Sequence, residues 1–213
     1  MADSISAIRE AIIDGNRKFV AAEVAKALEG GTDAEKLLKE AMIPAMDEVG
    51  KLFEEGEFFI PEMLVAARSM SAGMELIKPK LKEGNIKTLG TVVVGTAEGD
   101  LHDIGKNLVG MMLEGAGFEV HDLGPDVSPE KFIAAVKEFN ADLVAISALV
   151  TTTMPAMGRT IEAFKAAGLR EKVKIIVGGA PLSQSYADSI GADGYSADAT
   201  EAVALAKKLV PAA

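Results

Sequence analysis

The sequence predicts an α + α/β protein, with an N-terminal four-helix bundle followed by a doubly wound, five-stranded parallel sheet. Apolar residues recur at helical spacing from Ser4 to Glu83, and the connections between segments are short. After Thr88, short apolar runs alternate with helical segments five times, a rhythm typical of a parallel sheet covered by helices. We place the domain boundary at this change, which gives a helical domain at 1–87 and a second domain at 88–213.

Four helices are expected in the first domain. The first helix is expected to begin at Ser4 as its N-cap, and the other three are expected at residues 19–28, 33–56 and 61–84. Pro61 suits the first position of a helix, where a missing N–H costs no hydrogen bond. Pro79 and Gly84 are expected to close the last helix.

The second domain is expected to contain five βα units. The expected strands are 89–96, 118–124, 141–149, 172–179 and 193–195, and the expected helices are 104–115, 129–139, 155–167, 182–190 and 200–209. Five such units fit the flavodoxin-like (Rossmann-type) strand order 2-1-3-4-5, whose switch point lies between strands 1 and 3. Ligands bind there, outside the carboxyl ends of the strands, so loops 96–105 and 147–154 are the predicted site.

Composition excludes several kinds of chemistry. The chain has no cysteine, which excludes disulfides, thiolate zinc sites, iron–sulfur clusters and a thiol nucleophile. Two histidines leave little room for a metal cage made by the protein, so difficult chemistry is expected from a bound cofactor. The net charge of −10 argues against nucleic acid or an anionic membrane as a partner. Because no membrane span or secretory leader is visible, we expect a cytoplasmic protein.

One of the two histidines lies in the first predicted site loop, TAEGDLHDIG. Asp100 precedes His102 by two residues, and a metal-ligating imidazole commonly donates its other N–H to a carboxylate. A lone loop histidine is also common at a surface or at a helix start. Asp103 as a helix cap and Gly105 as a close-packing residue would fit that simpler interpretation.

The residues of these loops resemble a known family. Residues 100–105, DLHDIG, match the DxHxxG motif of cobalamin (corrinoid) binding domains, residues 147–149 match its SxL element, and residues 178–179 match its GG element. The three elements occur in the family's order and spacing, each at the end of a predicted strand. The whole chain resembles the cobalamin module of methionine synthase. It is more similar to the corrinoid proteins of methylamine, methanol and methoxyaromatic methyltransferase systems.

The resemblance implies roles for individual residues. In that family a histidine replaces the cofactor's dimethylbenzimidazole as the lower axial cobalt ligand (base-off, His-on). Carried over, His102 is the cobalt ligand, Asp100 holds its second nitrogen, and Thr153 stands where the third member of the relay is usually serine. These three form the implied catalytic set. The other implied cofactor-binding residues are Asp103, Ile104, Gly105, Ser147, Leu149, Thr151, Gly178 and Gly179.

The helical domain has two interpretations. Methionines at helical spacing are usually core packing, so the bundle could simply be a stable helical domain. By resemblance to methionine synthase it is a cap over the upper face of the corrin, in which Phe53 and Ile60 occupy capping positions. The polar segment 81–88 is then a plausible hinge. His121, within the second strand, is predicted to be structural.

The implied function is that of a corrinoid protein, the cofactor-carrying subunit of a methyltransferase system. Cobalamin or a related corrinoid would pass through methylcobalamin and a Co(I)/Co(III) cycle. The implied partners are a substrate-specific methyltransferase, an acceptor methyltransferase using tetrahydrofolate or coenzyme M, and a reductive activase. The methyl donor stays open among methylamines, methanol, betaine and methoxyaromatics. The alternatives are a cobalamin-dependent sensor, a subunit of a radical mutase, and a flavodoxin-like protein without cobalamin.

Overall fold

The structure, a computed structural model, describes residues 2–83 and 88–210. It divides into two compact units. The helical unit comprises Met1–Lys87 and Glu114–Gly117, and the α/β unit comprises Thr88–Leu113 and Phe118–Ala213.

The helical unit has a methionine-rich core. Its elements are α1 (Ala2–Ile13), α2 (Arg17–Glu29), α3 (Ala34–Leu37), a π-helical segment (Leu38–Met42), α4 (Ile43–Glu54) and α5 (Ile60–Glu83). The side chain of Asn16 caps α2, because its Oδ1 accepts a hydrogen bond from the Phe19 N–H at 3.3 Å. The apolar stripes meet in a core that includes Ile8, Ile12, Val20, Val24, Met42, Met46, Met63 and Met70.

The third expected helix, 33–56, is interrupted by a π-helical turn at Leu38–Met42. The Ile43 N–H donates to the carbonyl of Leu38, five residues back. The next residue, Pro44, has no N–H to offer the carbonyl of Glu40, and its ring would crowd that carbonyl in a regular α-helix. The wider turn directly before Pro44 relieves this conflict.

The expectation that Pro79 helps to close the last helix is wrong, because α5 runs through it to Glu83. A proline here removes one backbone hydrogen bond near the end of a long helix, and the packing of its buried residues maintains it. Gly84 lies outside the described residues, as does half of the predicted hinge at 81–88.

The α/β unit is built on a five-stranded parallel sheet. The strands are β1 (Thr91–Thr96), β2 (Glu119–Asp122), β3 (Leu143–Ser147), β4 (Lys174–Gly178) and β5 (Gly194–Ser196). Their order is β2-β1-β3-β4-β5, which confirms the predicted topology. In the β1–β3 register Thr96 pairs with Ser147, so these two strands end side by side.

Several of the helices that connect the strands begin or end at capping residues that can be recognised in the sequence. They are α6 (Ile104–Gly115), α7 (Pro129–Phe139), α8 (Met154–Ala166), α9 (Gln184–Ile190) and α10 (Ala199–Leu209). Side-chain oxygens of Ser128, Ser183 and Asp198 accept N–H donors at the starts of α7, α9 and α10. Asn140 ends α7 in the left-handed conformation, at φ +49°.

Large aromatic residues fill the interior of the α/β unit. Phe118, Phe132 and Phe164 are fully buried. His121 on β2 stacks on Phe139, with ring centroids 3.6 Å apart and planes within 5° of parallel. This contact gives the second histidine a packing role. Within residues 2–83 and 88–210, no helix combines the length and apolar character needed to cross a membrane.

Candidate functional site

The sheet reverses its winding direction between β1 and β3. The chain leaves β1 towards β2 on one side, whereas β3, β4 and β5 lie on the other side. The loops that follow β1 and β3 therefore border the crevice where open α/β sheets bind their ligands. These loops are the predicted site segments at 96–105 and 147–154.

A single carboxylate joins the two loops. Asp100, in the β1 loop, is 1% exposed. Its Oδ2 accepts hydrogen bonds from the Thr153 hydroxyl at 2.6 Å and from the Leu149 N–H at 2.8 Å, both in the β3 loop. Its Oδ1 lies 2.7 Å from Nδ1 of His102 and accepts from the His102 backbone N–H at 3.0 Å. The structure thus brings His102, Asp100 and Thr153 together in that order.

The electrostatics of Asp100 follow from these donors. Burial by itself raises the pKa of a carboxyl group. The hydrogen bonds from Thr153, His102 and Leu149 outweigh burial and hold the pKa of Asp100 well below its usual range. Asp100 is therefore a carboxylate at neutral pH, an oriented acceptor for the imidazole.

His102 presents its ring to the outside of the crevice. Its side chain is 54% exposed, whereas that of Asp100 is fully buried. Donation from Nδ1 to Asp100 fixes the tautomer in which Nε2 carries the free lone pair. The site thus offers a metal one imidazole nitrogen, Nε2, on a ring whose orientation the Asp100 carboxylate sets. Among the described residues, no group of three or more His, Asp or Glu could hold a metal ion.

The two site loops also carry exposed apolar side chains. Leu101 is 72% exposed and Ile104 73% exposed, and in the β3 loop Leu149 and Val150 are exposed as well. Large apolar side chains left in water next to a polar centre mark a ligand-binding surface. Sequence reasoning missed Leu101 and Val150. The sequence feature that could have identified them is a large apolar residue in a loop composed mainly of small and polar residues.

The predicted glycine pair lies at the end of β4, where Gly178 is the last residue of the strand and Gly179 follows it. A Cβ on Gly178 would come within 3.0 Å of the Ser196 carbonyl oxygen, and one on Gly179 within 1.9 Å of the Ala148 carbonyl oxygen. Gly179 also has φ +133°, which L-residues rarely adopt. The packing of neighbouring strand ends therefore requires glycine at position 179 and leaves little room for a Cβ at position 178, in addition to any role towards a ligand.

The other predicted positions take up varied surroundings. The Ser147 hydroxyl donates to the Oγ1 of buried Thr96 at 3.1 Å, and Thr151 is exposed in the turn before α8. The carbonyl of Asp103 accepts from the Asn107 N–H at 2.8 Å, in the first turn of α6. A Cβ on Gly105 would meet no atom within 4 Å, so the backbone there faces open space.

Phe53 and Ile60, the predicted capping residues, belong to the helical unit. Phe53 is half-buried in the last turn of α4, and Ile60 is exposed as the first residue of α5. Phe59, next to Ile60, is also exposed. Their role towards a cofactor stays a prediction.

Comparison with known proteins identifies the family. Two models, both described as a B12 binding domain, match residues 5–78 and 90–204. The dimethylamine corrinoid protein 1 of Methanosarcina acetivorans is 47% identical over 201 residues, which cover 94% of each chain.

Solved structures agree in fold. A cobalamin-binding protein from Desulfitobacterium hafniense is similar with a TM-score of 0.77 at 35% identity, over 97% of this chain and 98% of that chain. The methanol:cobalamin methyltransferase complex of Methanosarcina barkeri contains a chain similar with a TM-score of 0.87 at 32% identity, over 99% of this chain and 81% of that chain. This chain therefore belongs to the corrinoid proteins that bind cobalamin through a B12-binding domain.

Proposed function

We propose that this chain carries a corrinoid with His102 as the axial cobalt ligand, and that it receives and delivers methyl groups between two methyltransferases. The observation that carries the proposal is the pair formed by Asp100 and His102 in the β1–β3 crevice, with Nδ1 2.7 Å from Oδ1 and the His102 side chain 54% exposed. When bound, the corrin supplies a cobalt that accepts and releases a methyl group while it alternates between Co(I) and Co(III).

The residues present fit this group. A corrin is a broad macrocycle with apolar faces and amide groups at its rim, and the exposed Leu101, Ile104 and Leu149 belong to the same two site loops as the imidazole that it would cover. The open space at Gly105 allows close approach to the backbone. By covering these side chains, the ligand would remove apolar surface from water and exclude water from the ring of His102.

Asp100 and Thr153 hold the imidazole ready. The Thr153 hydroxyl and the Leu149 amide fix one carboxylate oxygen, so the other is aimed at Nδ1. The hydrogen bond to Asp100 engages Nδ1, so Nε2 is the nitrogen that would bind cobalt. Threonine in place of the usual serine keeps the hydroxyl donor, at 2.6 Å from Asp100.

Cobalt ligation can be tested with isotopes. Protein labelled with nitrogen-15 histidine is loaded with unlabelled cobalamin and reduced to Co(II), and its electron paramagnetic resonance spectrum is recorded. We expect the axial nitrogen to split the cobalt lines into doublets, because nitrogen-15 has spin one half. Triplets would instead identify the cofactor's own benzimidazole as the ligand and overturn the proposal.

The two histidines provide a matched control. His102→Ala should abolish the doublets, whereas His121→Phe, which keeps an aromatic ring on Phe139, should retain them. Loss of the doublets in His121→Phe alone would contradict the assignment.

The proposed methyl donor is a methylamine. Support comes from the 47% identity, over nearly the full length, to a relative named as a dimethylamine corrinoid protein. Methyl transfer would be measured with methyltransferases for dimethylamine, trimethylamine and methanol in turn. Methylation of the bound corrinoid by the methanol enzyme alone would refute this choice.

The proposed partners follow from the same role. They are the methylamine methyltransferase, an acceptor methyltransferase that uses tetrahydrofolate or coenzyme M, and a reductive activase that restores Co(I). The last is needed because Co(I) is readily lost to oxidation. Co-purification and methyl transfer with each enzyme are the tests.

We also propose that function divides between domains 1–87 and 88–213, the first capping the methyl face of the corrin. Phe53→Ala and Ile60→Ala should then speed the photolysis of bound methylcobalamin, since the cap shields the methyl group. Val65→Ala, at another exposed apolar residue of α5, is the control and should leave the rate unchanged. Equal rates in all variants would contradict the cap.

A further inference from the structure

The loop between β2 and α7 contacts the site loop at several points, although its residues take no part in the proposed function. Asp126 Oδ1 accepts a hydrogen bond from the Gly99 N–H at 2.7 Å. The Asp126 N–H donates to the Asp100 carbonyl at 3.0 Å, and the Val127 N–H donates to the Thr96 carbonyl at 2.9 Å. Asp126 thus bonds the two peptide groups that flank the Gly99–Asp100 peptide, one before Gly99 and one after Asp100.

The backbone of Asp126 is held in an unusual conformation. Its φ is +52°, and within residues 2–83 and 88–210 the only other non-glycine residue at positive φ is Asn140, which ends α7. The left-handed region is unfavourable for side chains with a Cβ, least so for Asn and Asp. In this conformation both the N–H and the carboxylate of Asp126 reach the site loop.

The hydrogen bonds of Asp126 fix a tight turn. Residues 97–100 form a turn closed by the Asp100 N–H donating to the Ala97 carbonyl at 3.0 Å. Gly99, in its third position, has φ +85°, as a type II turn requires. This turn delivers Asp100 into the crevice, and Asp126 accepts the Gly99 N–H that the turn itself leaves unpaired.

The other end of the site loop is held by the same β2 region. Lys106, in the first turn of α6, is 4% exposed, and its Nζ contacts both carboxylate oxygens of Asp122. Asp122 also accepts from the Gly124 N–H at 2.8 Å. The site loop is therefore held on both sides of His102. Asp126 bonds the backbone of Gly99 and Asp100 before it, and Lys106 after it bonds Asp122.

From this geometry we propose that Asp126 is a positioning residue for the cobalt ligand. By fixing the 97–100 turn it sets the direction of the Asp100 carboxylate, and through Asp100 it sets the ring of His102. The part concerning cobalt rests on the proposed function, whereas the part concerning the Asp100–His102 hydrogen bond does not.

Three substitutions separate the carboxylate of Asp126 from its backbone conformation. Asp126→Gly accepts positive φ without strain but loses the acceptor for Gly99. Asp126→Asn keeps an acceptor oxygen and tolerates the left-handed region, so it is the rescuing variant. Asn140→Gly makes the same kind of change at the other described non-glycine residue with positive φ, which lies at the end of α7, and is the matched control.

The first measurement uses the protein without cofactor. The Nδ1–H proton of His102 is observed by nuclear magnetic resonance in nitrogen-15 histidine-labelled protein. In Asp126→Gly we expect its exchange with solvent to become about tenfold faster, the factor that one ordinary hydrogen bond represents. Asp126→Asn and Asn140→Gly should stay close to wild type. Equal exchange in wild type and Asp126→Gly would overturn the proposal.

The second measurement uses the cobalamin-loaded Co(II) protein. In Asp126→Gly the ratio of cobalt without the nitrogen-15 doublet to cobalt with it should rise by about tenfold, and Asp126→Asn should restore it. A full doublet signal in Asp126→Gly would overturn the positioning of the ligand. Wild-type protein without doublets, together with the expected change in proton exchange, would refute the proposed function and leave the role of Asp126 intact.

A purely structural role is distinguished by urea unfolding. If Asp126→Gly and Asp126→Asn lose stability equally and their spectra change in proportion, Asp126 supports only the fold, and the proposal fails.

Discussion

Replacing Gly179 with alanine should damage the site through the backbone. The added Cβ would lie 1.9 Å from the carbonyl oxygen of Ala148 and 2.9 Å from its carbonyl carbon, whereas real Cβ contacts stay beyond 3.0 Å. One of the two segments must therefore move by about 1 Å. Gly179 also has φ +133°, which alanine rarely adopts.

The cost follows from the contacts that such a movement breaks. The Ala148 N–H donates to Gly178 at 3.2 Å, and the adjoining Leu149 N–H donates to the Asp100 carboxylate at 2.8 Å. Loss of these two bonds costs about 2–4 kcal/mol, and backbone strain adds about 1–3 kcal/mol. Since partial relaxation recovers some of this, we expect Gly179→Ala to lower the free energy of unfolding by about 3–5 kcal/mol.

Gly105→Ala is the matched control, because it makes the same chemical change at another motif glycine. A Cβ there meets no atom within 4 Å, and Gly105 lies in the first turn of α6. We expect the unfolding free energy to stay within about 0.5 kcal/mol of wild type or to rise, since alanine favours helix. Cobalamin affinity should nevertheless fall, because the methyl group fills space that we assign to the cofactor.

Urea unfolding of the protein without cofactor, followed by tyrosine fluorescence, measures both effects. The chain has two tyrosines and no tryptophan, and both Tyr186 and Tyr195 belong to the α/β unit. With a slope of about 2 kcal/mol per molar urea, Gly179→Ala should lower the midpoint by about 1.5–2.5 M. A loss below about 1 kcal/mol would refute the steric argument.

Three further predictions concern neighbouring contacts. Thr153→Val removes the hydroxyl donor from Asp100 and should lower the unfolding free energy by about 1.5–3 kcal/mol, with Thr153→Ser recovering most of it; an unchanged urea midpoint in Thr153→Val would contradict this. Because the pKa of Asp100 is depressed on folding, its charge stabilises the protein above the ordinary value of 3.8, and this stability is lost as the pH falls. The stability gap between wild type and Asp100→Asn should shrink from pH 5 to pH 2 in acid unfolding, and a constant gap would refute the sign. Gly95→Ala places a Cβ 2.7 Å from Phe132 Cζ and should cost about 1–3 kcal/mol. In a double-mutant cycle, Phe132→Leu should make part of that cost disappear, and strict additivity would be the contrary result.

Much of the α/β unit could be predicted because its signals are local. The helices at 104–115 and 129–139 have the bounds that the sequence indicated, since Pro129 and the Ser128 cap mark a start that needs no tertiary contact. The strand order followed from the five-fold βα rhythm. The π-helical turn at Leu38–Met42 could not be predicted from periodicity, because Pro44 is equally compatible with a helix start or a kink.

The contacts of the candidate site also include some that the sequence predicts and some that it does not. The pairing of Asp100 with His102 was predictable, because the two residues are close in the chain. The Leu149 N–H as donor to Asp100 was not, because a backbone amide in a distant loop has no sequence signature. Asp126 likewise depends on a positive φ and on a turn from another βα unit, which neither residue type nor spacing reveals.

The two carboxylate oxygens of Asp100 have different hydrogen-bond partners. Oδ2 accepts hydrogen bonds from Thr153 and Leu149, which belong to the loop after β3, and only Oδ1 faces the imidazole. If His102 moves, the carboxylate therefore keeps its charge, its position and its main donors. If His102 is the axial ligand, as we propose, its exchange would require movement of the imidazole ring, and the hydrogen bonds that join the two site loops through Oδ2 could stay in place.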